Sequence, residues 1–228
     1  MESEFRSGYV AIVGEPNVGK STLMNALLGQ KISIVARKPQ TTRQRILGIC
    51  SDDQSQIIFV DTPGFLQPRY LLHEKMMMQI ELALSEADVI VALTEVSKGA
   101  DLPHRLQQEI QKRGKGSPVV LVINKVDTVH KPTLLPLIEK ASKSGQFKEI
   151  VPLSALKHDN LDALLRILRR LMPVHPPFYP VDTVSERPER FFVAELVREK
   201  VFEQFRDEIP YSTAVEIQEF RERETGGA

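Results

Sequence analysis

The chain has 228 residues with 30 basic and 30 acidic side chains, so its net charge is zero and no global electrostatic pull toward nucleic acid or membrane is expected. That length suffices for one sizeable core and part of a second. The single cysteine, Cys50, excludes an intramolecular disulfide and a cysteine metal cluster within one chain, which suits a reducing compartment. No apolar run is long enough to span a bilayer, and the start, Met1-Glu2-Ser3-Glu4-Phe5-Arg6, has no signal-peptide core. The charge is uneven: residues 1–179 carry 23 Lys/Arg against 18 Asp/Glu, and residues 180–228 carry 7 against 12.

Residues 1–8 read as a polar lead-in. Tyr9-Val10-Ala11-Ile12-Val13 is a short apolar run that reads as a buried strand, and residues 22–28 read as a helix. Between them lies Gly14-Glu15-Pro16-Asn17-Val18-Gly19-Lys20-Ser21, which fits Gly, four residues, Gly-Lys-Ser. A loop between strand and helix can wrap a polyphosphate with backbone N–H groups, aided by the helix N-terminus at Thr22. Lys20 would bridge the terminal phosphates and the Ser21 hydroxyl would ligate magnesium.

Residues 36–45 are polar, basic and broken by proline, and read as a mobile loop. Residues 46–50 and 57–60 are apolar runs split by Ser51-Asp52-Asp53-Gln54-Ser55, which predicts a hairpin. Its second strand ends in Asp61-Thr62-Pro63-Gly64, where ligands bind in a parallel α/β sheet. Asp61 could hold magnesium through water, and Gly64 could bring its N–H to a terminal phosphate. Residues 71–86 predict a helix with Met76, Ile80, Ala83 and Leu84 on one face; Met76-Met77-Met78 reads as packing rather than a soft-metal site.

Residues 89–93 and 119–123 are buried strands, with a helix over 102–112 between them and another over 132–141 after them. The last strand covers 150–153, and Leu161, Leu164, Leu165, Leu168 and Leu171 mark an amphipathic helix. Alternating strands and helices with one early hairpin define an α/β fold. The expectation is a P-loop NTPase with a mostly parallel six-stranded sheet and helices on both faces, over residues 1–172. Pro173, Pro176, Pro177 and Pro180 predict a stiff linker over 173–180. Beyond it, Val193, Leu196, Val197, Val201 and Phe205 predict a helix and residues 213–220 a strand, too little to bury a core alone.

Asn124-Lys125-Val126-Asp127 follows the most apolar strand and Ser154-Ala155-Leu156 follows the next. A carboxylate at Asp127 can accept two hydrogen bonds from the guanine N1–H and N2 amino group, a donor pair that adenine lacks. Asn124 would brace the loops and touch the base, the Lys125 stem would lie along the ring, and the Ala155 N–H would meet guanine O6.

Together, the phosphate loop, Lys38-Pro39-Gln40-Thr41-Thr42-Arg43-Gln44-Arg45, Asp61-Thr62-Pro63-Gly64, Asn124-Lys125-Val126-Asp127 and Ser154-Ala155-Leu156 resemble a translation-factor-class GTPase. More narrowly, the chain resembles the Era family within the TrmE–Era–EngA-type superclass, and the Pro39-Gln40-Thr41-Thr42-Arg43 stretch is the narrow marker. Residues 191–200 and Glu208-Ile209-Pro210-Tyr211-Ser212 resemble the opening of that family's KH domain, so residues 181–228 would be an incomplete α+β, KH-type RNA-binding segment.

The resemblance implies hydrolysis of GTP to GDP and phosphate, with a role in maturation of the small ribosomal subunit through its 16S-type rRNA. It implies that Thr42, or else Thr41, closes over the terminal phosphate and magnesium, and that residues 61–70 form a second switch. Phe65 stands where many relatives carry a glutamine that positions water, so intrinsic turnover should be slow. Asn17 matches an asparagine that holds potassium in related enzymes, which with Lys20, Thr42, Asp61 and Gly64 completes the expected catalytic set. KH domains clamp RNA with a Gly-x-x-Gly loop, which residues 180–228 lack, so RNA binding by this chain itself is not expected. The resemblance further implies a monomer, allows peripheral membrane association, and places the protein in a bacterial cytoplasm, a chloroplast or a mitochondrion. Three alternatives stand beside this: a nucleotide-gated binding module with negligible turnover, another GTPase of the superclass acting in transfer-RNA modification or large-subunit assembly, and an ATP-using kinase, which would leave Asp127 without a role.

Overall fold

The computed structural model describes residues 4–36, 38, 41–207 and 209–220. Residues 1–3, Arg37, Pro39, Gln40, Glu208 and 221–228 lie outside the described residues, and with them part of the polar lead-in, of the basic loop and of the narrow family marker.

Six strands form one sheet: β1 (Arg6–Gly14), β2 (Ile46–Ser51), β3 (Ser55–Asp61), β4 (Val89–Glu95), β5 (Val119–Asn124) and β6 (Glu149–Pro152). Their order across the sheet is β2-β3-β1-β4-β5-β6. The pair β2–β3 is antiparallel, as the hairpin signal requires, and every other pairing is parallel. The expected six-stranded, mostly parallel sheet is therefore observed.

Side chains alternate across a strand, and β1 shows what that does. Val10 and Ile12 enter one core with helices α1 (Lys20–Leu28) and α5 (Leu161–Leu171), through Leu23, Met24, Leu164 and Leu168. Ala11 and Val13 enter the other core, beneath α2 (Leu71–Glu86), α3 (His104–Arg113) and α4 (Leu134–Lys143), through Ile80, Leu84, Leu106 and Ala141. Both faces of the sheet are covered, so the C-terminal ends of the parallel strands are left as the open edge where loops can build a site. In the methionine run, Met76 is fully buried and packs in the core, while Met78 is exposed.

The proline-rich stretch differs from a free spacer. Gln56, fully buried on β3, accepts the N–H groups of Phe178 and Tyr179 at 2.8 and 2.9 Å and donates to the Tyr179 carbonyl at 2.8 Å. Farther on, the Ile49 N–H donates to the Val184 carbonyl at 2.8 Å. The segment thus runs along the sheet's edge, with all four amide valences of Gln56 satisfied once Ser51 is counted.

The chain then forms α6 (Glu189–Gln204) and the short α7 (Ile209–Ser212). The strand expected over 213–220 is not formed; those residues join no strand. The helix expected from its apolar stripe is present, but Val193, Leu196 and Val197 stay exposed and the buried face carries Arg198, Glu199 and Phe202. Among the described residues, no helix is long and apolar enough to cross a membrane.

Candidate nucleotide-binding site

The site lies at the C-terminal edge of β1, β3, β4 and β5. After β1 the loop 14–19 turns into α1, whose first residue is Lys20. Gly19, at φ +100°, is in the left-handed region, and a Cβ there would come 2.4 Å from Asn124 Nδ2. Only glycine satisfies both conditions. No side chain caps the start of α1 and its first turn holds no acid, so its free N–H groups and partial positive charge face the loop.

Lys20 is buried, and its ammonium donates to the carbonyls of Gly14 at 3.1 Å and Glu15 at 2.8 Å. Burial drives its pKa down from 10.5 to about 8, against the opposing pull of Asp61 and Glu15. The backbone of the loop is thereby wrapped around its own cation, as an anion-binding loop requires.

The three residues expected to hold magnesium come together. Ser21 Oγ donates to Asp61 Oδ2 at 2.7 Å and lies 3.0 Å from Thr42 Oγ1, which is itself 3.4 Å from the same carboxylate oxygen. Asp61 is fully buried at the end of β3, and burial raises its pKa although the Ser21 hydroxyl and the Lys20 charge oppose the rise. Its second oxygen, Oδ1, is buried without a partner. An orphaned carboxylate oxygen beside two hydroxyls is a hard, all-oxygen donor set that fits magnesium. Thr42, not Thr41, faces this cluster; the Thr41 carbonyl instead accepts a hydrogen bond from Arg198.

Thr62 Oγ1 donates to the Ile12 carbonyl at 2.7 Å, which ties the turn after β3 to β1. Gly64 lies against Pro16, where a Cβ would meet ring and backbone atoms at 2.8 Å. The Phe65 N–H donates to the Gly14 carbonyl at 2.8 Å, while its ring joins the core under α2 and α3. Pro63 completes this turn. Pro16, Asn17, Gly19, Ser21, Thr22, Thr42, Gly64 and Lys125 all face one open cavity of about 280 Å³.

The base-reading loops meet the phosphate loop directly. Asn124, buried at the end of β5, donates from Nδ2 to the Val18 carbonyl at 2.8 Å and accepts the Ala155 N–H on Oδ1 at 3.0 Å. The bracing expected of Asn124 is seen. The Ala155 N–H, expected for guanine O6, is directed at Asn124 instead. Lys125 has a left-handed backbone, φ +62°, and its ammonium donates to the Asn17 carbonyl at 2.8 Å. Asn17 is also left-handed, φ +64°. Asp127 is solvent-exposed in the turn after Lys125, so its carboxylate is open to a ligand. Ser154 is buried, and its Oγ accepts the Lys157 N–H at 3.1 Å, which shapes the turn that leaves Leu156 exposed.

Sequence reasoning missed two sets of neighbours. One is Glu95 at the end of β4 and Lys98 just after it, which reach Lys125 and Glu15. The other is Arg198 and Glu199 on α6, buried against residues 31–43. Glu95 and Lys98 fall in no motif, Arg198 and Glu199 lie in the stretch 191–200 that carried a resemblance but no role, and no periodic pattern singles out a charge pair across sequence-distant loops.

A strand–loop–helix phosphate cradle, an acidic strand end with two hydroxyls, and an Asn-Lys-x-Asp turn braced against the cradle define a P-loop GTPase. The family profile described as 50S ribosome-binding GTPase matches residues 9–125. The chain is 46% identical over 228 residues to a protein named GTPase Era from Geobacter metallireducens, covering 99% of this chain and 76% of that protein. It is 41% identical to one of the same name from Lactobacillus helveticus, again over 99% of this chain. Among solved structures, it is similar to Era in complex with MgGDPNP and nucleotides 1506–1542 of 16S ribosomal RNA. That match has 42% identity and a TM-score of 0.85, covering 91% of this chain and 70% of the other. A variant of Aquifex aeolicus Era bound to GDP·AlF4− matches with the same identity and TM-score. The chain belongs to the Era family of GTPases.

Proposed function

We propose that the site binds GTP with magnesium and hydrolyses it to GDP and phosphate, and that the resulting switch serves assembly of the small ribosomal subunit. The observation that carries the chemical half is the cluster of Ser21, Thr42 and the unpartnered Asp61 Oδ1 directly beside the phosphate loop. In this reading Ser21, Thr42 and Asp61 hold magnesium, which neutralises charge on the terminal phosphates when bound. Lys20 leaves its two loop carbonyls for the terminal phosphate, and backbone N–H groups of 14–22 other than Pro16, which has none, together with that of Gly64, bind the remaining oxygens. Asn124 and Lys125 set the base loop and Asp127 selects guanine. Asn17, exposed at the mouth of the loop, supplies a potassium ligand that adds positive charge where the transition state gathers negative charge.

Phe65 keeps the alternative of a weakly hydrolysing, nucleotide-gated binder in play. Its ring is taken up by the core under α2 and α3, so that side chain orients no water and intrinsic turnover is slow. The ribosomal half rests on the relatives named Era and on the 16S rRNA held by the similar structure. Residues 181–228 contain no Gly-x-x-Gly and carry 7 Lys/Arg against 12 Asp/Glu, so RNA contact through this segment is not part of the proposal.

The test is single-turnover hydrolysis of GTP and ATP with magnesium and potassium. The expected result is slow release of phosphate from GTP alone, lost in T42A and D61A. Equal turnover of ATP, or none from GTP at saturation, would overturn the catalytic reading. Tight, salt-sensitive RNA retention on a filter would overturn the statement on RNA.

A further inference from the structure

Glu95 ends β4 and lies opposite Asn124 in the parallel register of β4 and β5. That register puts it beside the next residue, Lys125, and the two side chains form an ion pair. Lys125 is the centre of a relay: its ammonium meets the Glu95 carboxylate on one side and the Asn17 carbonyl, at 2.8 Å, on the other. The other Glu95 oxygen accepts Ser97 Oγ at 2.9 Å, so both are engaged.

The pair is not a loose surface contact. The Glu95 side chain is only 15% exposed, against 40% for Lys125. Burial pushes the Glu95 carboxyl up, but the hydrogen bonds from Lys125 and Ser97, with the charges of Lys125 and Lys98, outweigh it and leave the pKa below its ordinary value. By contrast, Lys98 and Glu15 are both well exposed, a geometry that contributes little. Lys125 also holds a left-handed backbone that a non-glycine residue adopts only when its surroundings fix it. Thr128 helps, donating its N–H and hydroxyl to the Lys125 carbonyl at 3.1 and 2.7 Å. The side chain itself is fixed by Glu95.

We propose that Glu95 is a positioning residue for guanine-nucleotide binding, which fixes the Lys125 ammonium against the Asn17 carbonyl and so joins the base-reading loop to the phosphate loop. The inference rests on the nucleotide site proposed above. Without the carboxylate, the Lys125 stem loses its anchor and its link to Asn17 loosens, which leaves the Asn124–Val18 hydrogen bond to join the two loops.

The experiment measures dissociation of a fluorescent GDP from wild type, E95Q, K125A and E95Q/K125A. GDP is used so that hydrolysis does not enter. E95Q is expected to release GDP roughly tenfold faster, since neutralising the more buried partner of a hydrogen-bonded charge pair acts mainly on the off-rate. In the K125A background the same substitution is expected to change the rate less than twofold. E95D, which keeps the charge but withdraws it, is expected to fall between wild type and E95Q. An unchanged rate in E95Q, or equal acceleration with and without Lys125, overturns the role, because a general loosening of the loop after β4 would not depend on Lys125. Failure of wild type to bind GDP would instead overturn the nucleotide site itself.

Discussion

Glu199 on α6 accepts a hydrogen bond from the Val35 N–H at 2.9 Å, although 164 residues separate them. Its other oxygen pairs with Lys31 at 2.5 Å, and the carboxylate is almost fully buried. Next to it, Arg198 donates to the Thr41 carbonyl, and Arg43 donates to the Pro210, Tyr211 and Thr213 carbonyls at 2.7–3.0 Å. The segment that carries Thr42 is therefore held by the C-terminal helices. Replacing Glu199 with Ala leaves the Val35 N–H and the Lys31 charge without this partner. The expected loss of stability is roughly 1–3 kcal/mol by urea unfolding, with faster tryptic cleavage after Lys31. Wild-type cleavage and an unmoved midpoint would show the grip to be energetically idle.

Asp127 is the residue on which base choice turns. D127N is expected to weaken GTP by at least about a hundredfold, because one of guanine's two donors then faces the amide NH2, itself a donor. Xanthosine triphosphate, whose carbonyl replaces the amino group at that position, is expected to regain most of the affinity. Direct competition between the two nucleotides for D127N reads this out.

Lys20 ties affinity to pH. In the free protein its pKa is depressed to about 8 by burial, so near pH 8.5 the amine is mostly neutral. An incoming polyphosphate favours the ammonium and raises that pKa, so binding takes up a proton. Affinity therefore falls as pH rises through about 8, and proton uptake vanishes below about pH 7, where the group is already charged. Calorimetry at pH 8.5 in two buffers of different ionisation enthalpy should reveal roughly half to one proton absorbed per site. Buffer-independent heats would contradict the assignment.

Asn17 makes a sharper demand on the medium. With potassium exchanged for sodium, wild-type hydrolysis is expected to slow by about tenfold or more, whereas N17A should be equally slow in both. Identical wild-type rates in the two salts would remove potassium from the mechanism.

The nucleotide motifs were legible in the sequence because each is short, contiguous and seated at a strand end that its own apolar run announces. Val10 to Val13 predicted a buried strand, and the two cores it feeds explain why that run could not alternate with polar residues. What lay beyond the linker was harder. The apolar stripe of α6 suggested a buried face, yet Val193, Leu196 and Val197 remain exposed while Arg198 and Glu199 are buried by partners on the segment 31–43. Local pattern carries no information on a charge whose partner is more than 150 residues away. Residues 213–220 failed as a strand for a related reason: loose alternation forms a strand only where an open edge accepts it, and the backbone there is taken up in part by Arg43. Glu95 likewise became visible only through the register that sets it against Asn124.

Gln56 clasps the chain at Phe178 and Tyr179, and Ile49 does so again at Val184, five residues before α6 begins. The C-terminal helices are thus mounted on a short arm rather than a tether. If the contacts to residues 31–43 let go, α6 swings through an arc set by that arm and does not diffuse away. Re-engagement then carries almost no search cost, and its rate should be indifferent to protein concentration.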